Sequence, residues 1–179
     1  MKPLAKLPFP AGTTRHCTHQ DLPTILQIIN EAARAYEPVL PPHVYHEPQM
    51  TMEELQREIK RVSFLAYDEN GNMLGVMGYE FVDGVALIRH AYTRPKSQGR
   101  GIGSLLLRRI EEIITNSNKA STIIIGTYTQ ASWAITFYEK HGYRKASNPQ
   151  EILTKYYDIA EVQRLNSLTL EKTLNHAES

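Results

Sequence analysis

Gln98-Gly99-Arg100-Gly101-Ile102-Gly103-Ser104 stands between a β-branched and aromatic run, Val85 to Thr93, and the start of a long amphipathic pattern. Three glycines in five positions let a backbone approach a ligand without Cβ interference. Unpaired amides at the head of the following helix, and the positive end of its dipole, favour a phosphate or pyrophosphate there. Two phosphate-binding patterns fail on inspection. A P-loop requires Gly-Lys-Ser/Thr, and no lysine separates Gly103 from Ser104. A dinucleotide fingerprint requires a third glycine where Ser104 stands and an acidic residue closing the next strand, and the run Thr122 to Gly126 closes without one. Arg100 is placed to add a charge-assisted hydrogen bond to an anion.

Downstream of the loop, Ile102, Leu105, Leu106, Ile110, Ile113 and Ile114 mark one face of a long helix. Thr122 to Gly126 is a β-branched run with the signature of a buried strand. Ser132 to Lys140 is helical and stops at His141-Gly142, a glycine C-cap. Upstream, Asp68 to Asn72 carries the Asn70-Gly71 turn chemistry of a hairpin, which pairs a strand Ser63 to Tyr67 with Met73 to Phe81. Asp83-Gly84 then leads into Val85 to Thr93. Asp21-Leu22-Pro23 opens a first helix, and Thr51 with Glu54 forms a capping box for a short one ending near Lys60. Between them Tyr36 to Met50 carries four prolines and reads as an ordered loop. A helix around Glu151 to Tyr157 and a strand near Ser167 to Leu174 close the chain. Hairpins followed by a strand-helix-strand unit predict an α/β fold: one mixed, mostly antiparallel sheet with helices on both faces.

Composition bounds the function. The 179 residues suit a single domain, 1–179, with a core of about 13–174. Twenty basic and 19 acidic residues give a net charge of +1, which argues against nucleic acid or an acidic membrane as partner. Cys17 is the one cysteine, so neither an internal disulfide nor a cysteine-rich zinc site is available. The N-terminus lacks the apolar stretch of a signal peptide, and a cytoplasmic location is expected. His43-x-x-His46-Glu47 has the look of a metal site, but a proline-rich loop does not align two imidazoles as a helix does, so no metal is expected.

A second segment gives the loop its meaning. Trp133-Ala134-Ile135-Thr136-Phe137-Tyr138-Glu139-Lys140-His141-Gly142-Tyr143 resembles the A-x-x-F-Y-x-K-x-G-F/Y segment of the GNAT superfamily of N-acetyltransferases, and Gln98, Gly101 and Gly103 match its Gln/Arg-x-x-Gly-x-Gly/Ala coenzyme A loop. The resemblance covers about Thr13 to Leu174 and is sharpest from Val85 to Tyr143. One departure stands out: Ala131 replaces the asparagine that often begins the second segment, which leaves a coenzyme contact absent or supplied by a neighbour such as Gln130.

The resemblance implies a GNAT fold and transfer of an acetyl group from acetyl-CoA to a primary amine of a small molecule or protein. It implies a coenzyme site built from Ala91, Tyr92, Thr93, Gln98, Gly99, Arg100, Gly101, Ile102, Gly103, Ser104 and Trp133, with the Ala91 amide facing the thioester carbonyl. Tyr138 is the candidate general acid, since a phenol with a pKa of about 10 is protonated at neutrality. The base is open. Many members of the family carry a carboxylate on the strand matching Val85 to Thr93, whereas here His90 is the titratable group, Glu80 on the preceding strand is a weaker candidate, and a water chain is a third. Tyr36, His43, Tyr45 and His46 are expected to shape the acceptor pocket, without the acidic patch a polyamine calls for. Homodimerisation is implied by resemblance alone. The competing reading is a GNAT-fold module that binds coenzyme A without transferring acetyl groups, as the missing strand carboxylate and Ala131 suggest.

Overall fold

The computed structural model describes residues 11–174. Its frame is a seven-stranded sheet in the order β1-β2-β3-β4-β5-β7-β6. The strands are β1 (Thr13–His16), β2 (Ser63–Glu69), β3 (Asn72–Val82), β4 (Val85–Thr93), β5 (Thr122–Tyr128), β6 (Arg144–Lys145) and β7 (Ser167–Thr173). Six α-helices accompany them: α1 (Leu22–Ala33), α2 (Met52–Glu58), α3 (Ile102–Ser117), α4 (Ser132–Lys140), α5 (Pro149–Tyr156) and α6 (Glu161–Leu165). Every strand pair is antiparallel except β4 with β5. That parallel pair requires a crossover, and α3 supplies it.

The two hairpin turns form as their residues require. Asn70-Gly71 and Asp83-Gly84 all have positive φ, the geometry whose twist matches the flanking strands. On β2 the period of two sends Phe64 and Ala66 to one face and Leu65 and Tyr67 to the other. The first face packs on α1 through Ile25, Ile28 and Ile29 and on α2 through Leu55. The second packs on α3 through Ile102, Leu106, Leu107, Ile110 and Ile114, and on Ile135 and Tyr138 of α4. Leu105 and Ile113 flank the stripe, half-buried. Burying each such aliphatic side chain contributes about 1.5–3 kcal/mol, so a charge at Leu106 or Ile110 would separate α3 from the sheet.

Thr51 caps α2 as its sequence predicts, accepting from the Glu54 amide at 3.2 Å while the Glu54 carboxylate accepts from the Thr51 amide at 2.7 Å. The proline-rich loop is pinned at its far end, where the Asn30 side chain both donates to and accepts from the Met50 backbone, each at 2.9 Å. β5 runs two residues beyond its predicted end, to Tyr128. β1, β6 and α6 were not predicted, being four, two and five residues long and largely exposed. Among the described residues no helix is long and apolar enough to cross a membrane.

Two irregularities in β4 prepare a site. Its register with β3 slips between Val76 and Gly78, so that neither His90 nor Ala91 has a register partner, and His90 takes a positive φ of 51°. Its pairing with β5 ends at Ile88 opposite Ile125. Beyond that point the two parallel strands part.

Candidate active site

Two cavities adjoin the end of β4 that runs beyond its pairing with β5. The first, about 420 Å³, runs from the Gln98–Ser104 loop along Tyr92 and Thr93 to Trp133, Phe137 and Tyr138. Gly101 sits at the head of α3 with φ 83°, a left-handed conformation in which a side chain costs roughly 1–2 kcal/mol. That turn aims the chain into α3 so that its first, unpaired amides border the groove. The cavity is held open by side-chain ties. Gln98 donates to the Thr93 carbonyl at 3.3 Å, and the His141 ring, bound through Nδ1 to the Phe137 carbonyl at 2.7 Å, accepts from the Ser104 hydroxyl at 3.0 Å. His141 thus clamps the end of α4 to the beginning of α3. Trp133, 45 % exposed, stacks on Tyr36 at 5.8 Å.

The second cavity, about 150 Å³, is bounded by β4 and β5, by Gln49 and Met50 from the proline-rich loop, and by Leu153, Tyr157, Ile159 and Gln163 from the segment between β6 and β7. The two cavities share Tyr36, Ala91, Tyr92, Ala134 and Tyr138. Burial raises the pKa of all three shared tyrosines. Tyr36 is pushed up to about 12, with a hydrogen bond to Tyr92 offsetting part of the rise. Tyr92 goes well above its ordinary value, through burial first and the neighbouring phenols second. Tyr138 is likewise raised, by burial and then by Tyr36 and Tyr157. A neutral phenol therefore stands at the junction throughout the physiological range.

A charged cluster borders the second cavity, with Arg89 and His90 in its wall and their carboxylate partners outside it. Arg89, nearly buried on β4, binds Glu80 at 2.8 Å and Glu58 at 3.2 Å and lies 5.5 Å from the centre of the Tyr157 ring. Arg61 adds bonds to Glu58 at 2.6 Å and to Glu80 at 3.8 Å. His90 Nε2 lies 2.9 Å from the same Glu58 carboxylate and its ring stacks on Phe64. Burial opposes ionisation of Glu58, but the His90 hydrogen bond and the Arg89 and Arg61 guanidiniums outweigh it and hold its pKa at about 2. The pKa of His90 is lowered, by burial above all and then by Arg89, against the pull of Glu58. A neutral imidazole facing an ionised carboxylate places its proton on Nε2, which leaves Nδ1 with the lone pair.

The sequence expectations fare unevenly. Ala91, Tyr92, Thr93, Gln98, Gly99, Gly101, Ile102, Gly103, Ser104 and Trp133 all line the larger cavity, and His90 lines the smaller. Arg100 does not line either: its guanidinium turns away to grip Glu69, with both carboxylate oxygens at 2.8 Å. Of the loop residues, Tyr36 reaches both cavities, while His43, Tyr45 and His46 reach neither. The loop folds back there, the Val44 and Tyr45 amides bonding to the Pro41 carbonyl and Val44 packing beside Tyr128, and His46 Nδ1 bonds to the Pro48 carbonyl at 2.9 Å. Glu80 is buried against Arg89 and lines neither cavity. Glu58, Arg89, Tyr128 and Tyr157 were missed. The signal for a counter-charge was present, because Arg89-His90 in an otherwise apolar strand demands a carboxylate, but its position 32 residues upstream in α2 was not readable. Among the described residues no group of His, Cys, Asp and Glu is arranged to hold a metal ion.

Residues 60–145 fit the family model described as acetyltransferase (GNAT) domain. The chain carries a GNAT acetyltransferase domain. Solved structures agree on its fold. The PaiA N-acetyltransferase of Thermoplasma acidophilum, solved in complex with coenzyme A, superposes with a TM-score of 0.73 at 18% identity, over 92% of this chain and 99% of that one. The ribosomal-protein-S18-alanine N-acetyltransferase of Escherichia coli gives 0.70 at 17% identity, over 93% and 96%. Ard1 from Thermoplasma volcanium gives 0.69 at 19%, over 92% and 99%. No curated protein matches the chain. The GNAT domain places this protein among the acyltransferases.

Proposed function

We propose that the protein transfers an acetyl group from acetyl-CoA to a primary amine. The observation that carries this reading is the shared wall of the two cavities, where Ala91, Tyr92 and Tyr138 face the groove of about 420 Å³ on one side and the smaller cavity of about 150 Å³ on the other. The groove suits coenzyme A: the first amides of α3 offer hydrogen bonds to a pyrophosphate, and Gly103 leaves the groove floor clear beside Phe137, where a Cβ would already lie 3.4 Å from the ring. Acetyl-CoA bound there supplies an activated acetyl thioester. Ala91, outside the ladder register at the bulge, offers the amide for the thioester oxygen. Tyr138, kept protonated by burial, supplies a proton to the departing sulfur. His90, kept neutral by burial and fixed in tautomer by Glu58, accepts the proton of the incoming ammonium through Nδ1, directly or through water.

The reading is tested by thiol release. Incubated with acetyl-CoA and a panel of amines, the protein should liberate free thiol in proportion to an acetylated amine. Coenzyme binding with no thiol release from any amine would instead identify a coenzyme A-binding module.

A further inference from the structure

The walls of the smaller cavity restrict what amine can enter, and which acceptor they admit is a question that rests on the proposed acetyl transfer. Five tyrosines line the cavity, Tyr36, Tyr92, Tyr128, Tyr138 and Tyr157, beside Arg89, His90 and a few neutral polar side chains, and no aspartate, glutamate or lysine does. The carboxylates of the charged cluster, Glu58 and Glu80, lie behind the wall and are already committed to Arg89 and Arg61. A second ammonium on the acceptor, as in a polyamine, would therefore be desolvated without a counter-ion. Arg89 offers an acceptor carboxylate no better partner, because two carboxylates hold its guanidinium and the Tyr157 ring covers it. The charges of the cluster cancel pairwise, two arginines against two glutamates, with a neutral histidine beside them.

With Arg89 already paired, what the cavity offers an acceptor is mainly aromatic surface. Phenol rings attract a single ammonium through their faces and gain further from burying an uncharged carbon body. Size sets the other limit. A cavity of roughly 150 Å³ has room for a body of benzene size, and this one, with a wall of mixed aromatic and polar groups, measures about 150 Å³. It is closed on the far side by Leu153, Tyr157 and Ile159 from the segment joining β6 to β7.

We infer that the acceptor is a compact primary monoamine with an uncharged, apolar body about the size of a benzene ring. In the transfer, the incoming ammonium gives one proton to His90 or to water, the freed amine forms its bond to the acetyl carbon, and the second nitrogen proton, lost as the amide forms, restores the Tyr138 phenol. The carbon–sulfur bond breaks with its electron pair on sulfur, and the sulfur takes the Tyr138 proton. An amide and a free thiol result, and no other reactant is needed.

The test compares benzylamine with spermidine, free phenylalanine and a tetrapeptide with an unblocked N-terminus, using the full chain and saturating acetyl-CoA. Benzylamine should show a kcat/KM at least tenfold above each of the others. Calorimetry on the protein saturated with coenzyme A should detect benzylamine binding and no spermidine binding. A thermal shift with coenzyme A separates the possible failures. If the shift is present and spermidine, phenylalanine or the tetrapeptide is preferred, or if benzylamine neither binds nor reacts, the acceptor inference is overturned and the coenzyme site stands. If no shift appears, the proposed transfer falls and the acceptor inference with it.

Discussion

Glu58, at the end of α2, accepts a hydrogen bond from His90 Nε2 at 2.9 Å and so joins the helix face of the sheet to the bulge of β4. The pairing gives His90 a defined tautomer. It also exposes the histidine to opposed influences: burial, Arg89 and Arg61 lower its pKa, while Glu58 raises it.

His90→Ala should reduce kcat/KM with the preferred amine by about 10²–10³-fold and remove the acid limb of its pH profile, which lies below 6.5 in the wild type. Glu58→Gln keeps a hydrogen-bonding partner but withdraws the charge that favours protonated His90, so the same limb should move to lower pH with a smaller loss of rate. Steady-state profiles between pH 5 and 9 read both effects. A limb unchanged in His90→Ala would assign the base to water or to another group.

Tyr138→Phe keeps the ring in its packing against Phe137 and Tyr143 and removes only the phenolic proton. The expected result is a fall of about 10²-fold in kcat with little change in KM for acetyl-CoA. Stopped-time thiol release at saturating coenzyme measures it, and an unaltered kcat would withdraw the proton-donor role.

The Arg89–Glu80 pair is nearly sealed from water, with side-chain exposures of 8% and 4%. Arg89→Ala leaves two carboxylates short of a counter-charge and should destabilise the fold by about 3–5 kcal/mol in urea titration. Adding Glu80→Gln to that variant should recover part of the loss, because the uncompensated charge rather than the lost contact dominates the cost.

Acid should weaken the protein in two stages. His90 has a folded pKa below its ordinary 6.5, so its contribution is complete above 6.5 and is lost as pH falls through the folded value. Glu58 has a folded pKa of about 2 against an ordinary 4.5, so its contribution is present above 4.5 and is lost between 4.5 and about 2. Urea midpoints at pH 7, 5.5 and 3.5 should decline in that order, and Glu58→Gln should flatten the lower stage.

How much of this the sequence disclosed depends on distance along the chain. The glycine turn, the Thr51–Glu54 cap and the two hairpin turns are set by neighbouring residues, and their positions are readable from spacing alone. β4 and α4 lie within their predicted boundaries because each contrasts sharply with its flanks. β6 has two residues and only its pairing with β7 defines it, so local pattern is silent there. The same limit hid half of the site. Glu58 reads as one more solvent-facing charge on a polar helix, and only the folded sheet brings it to His90. Arg100 erred in the opposite direction: its place in the loop suggested a phosphate, whereas Glu69, 31 residues away, captures its side chain. His43 and His46 were drawn toward the acceptor pocket by the chemistry of their side chains, but the turn at Pro41 carries them away from it.

Everything proposed for the site depends on the groove between the α3 turn and α4 holding coenzyme A, and thermal unfolding with added coenzyme A is the sharpest test of that. At a concentration a hundredfold above Kd, binding to the folded state alone contributes about 2.7 kcal/mol, which corresponds to a rise in Tm of roughly 5–10 °C for a domain of this size. The wild type should show that rise, and Gly101→Val a much smaller one, because a β-branched residue opposes the left-handed turn. No change in the wild-type Tm at millimolar coenzyme A would contradict the assignment.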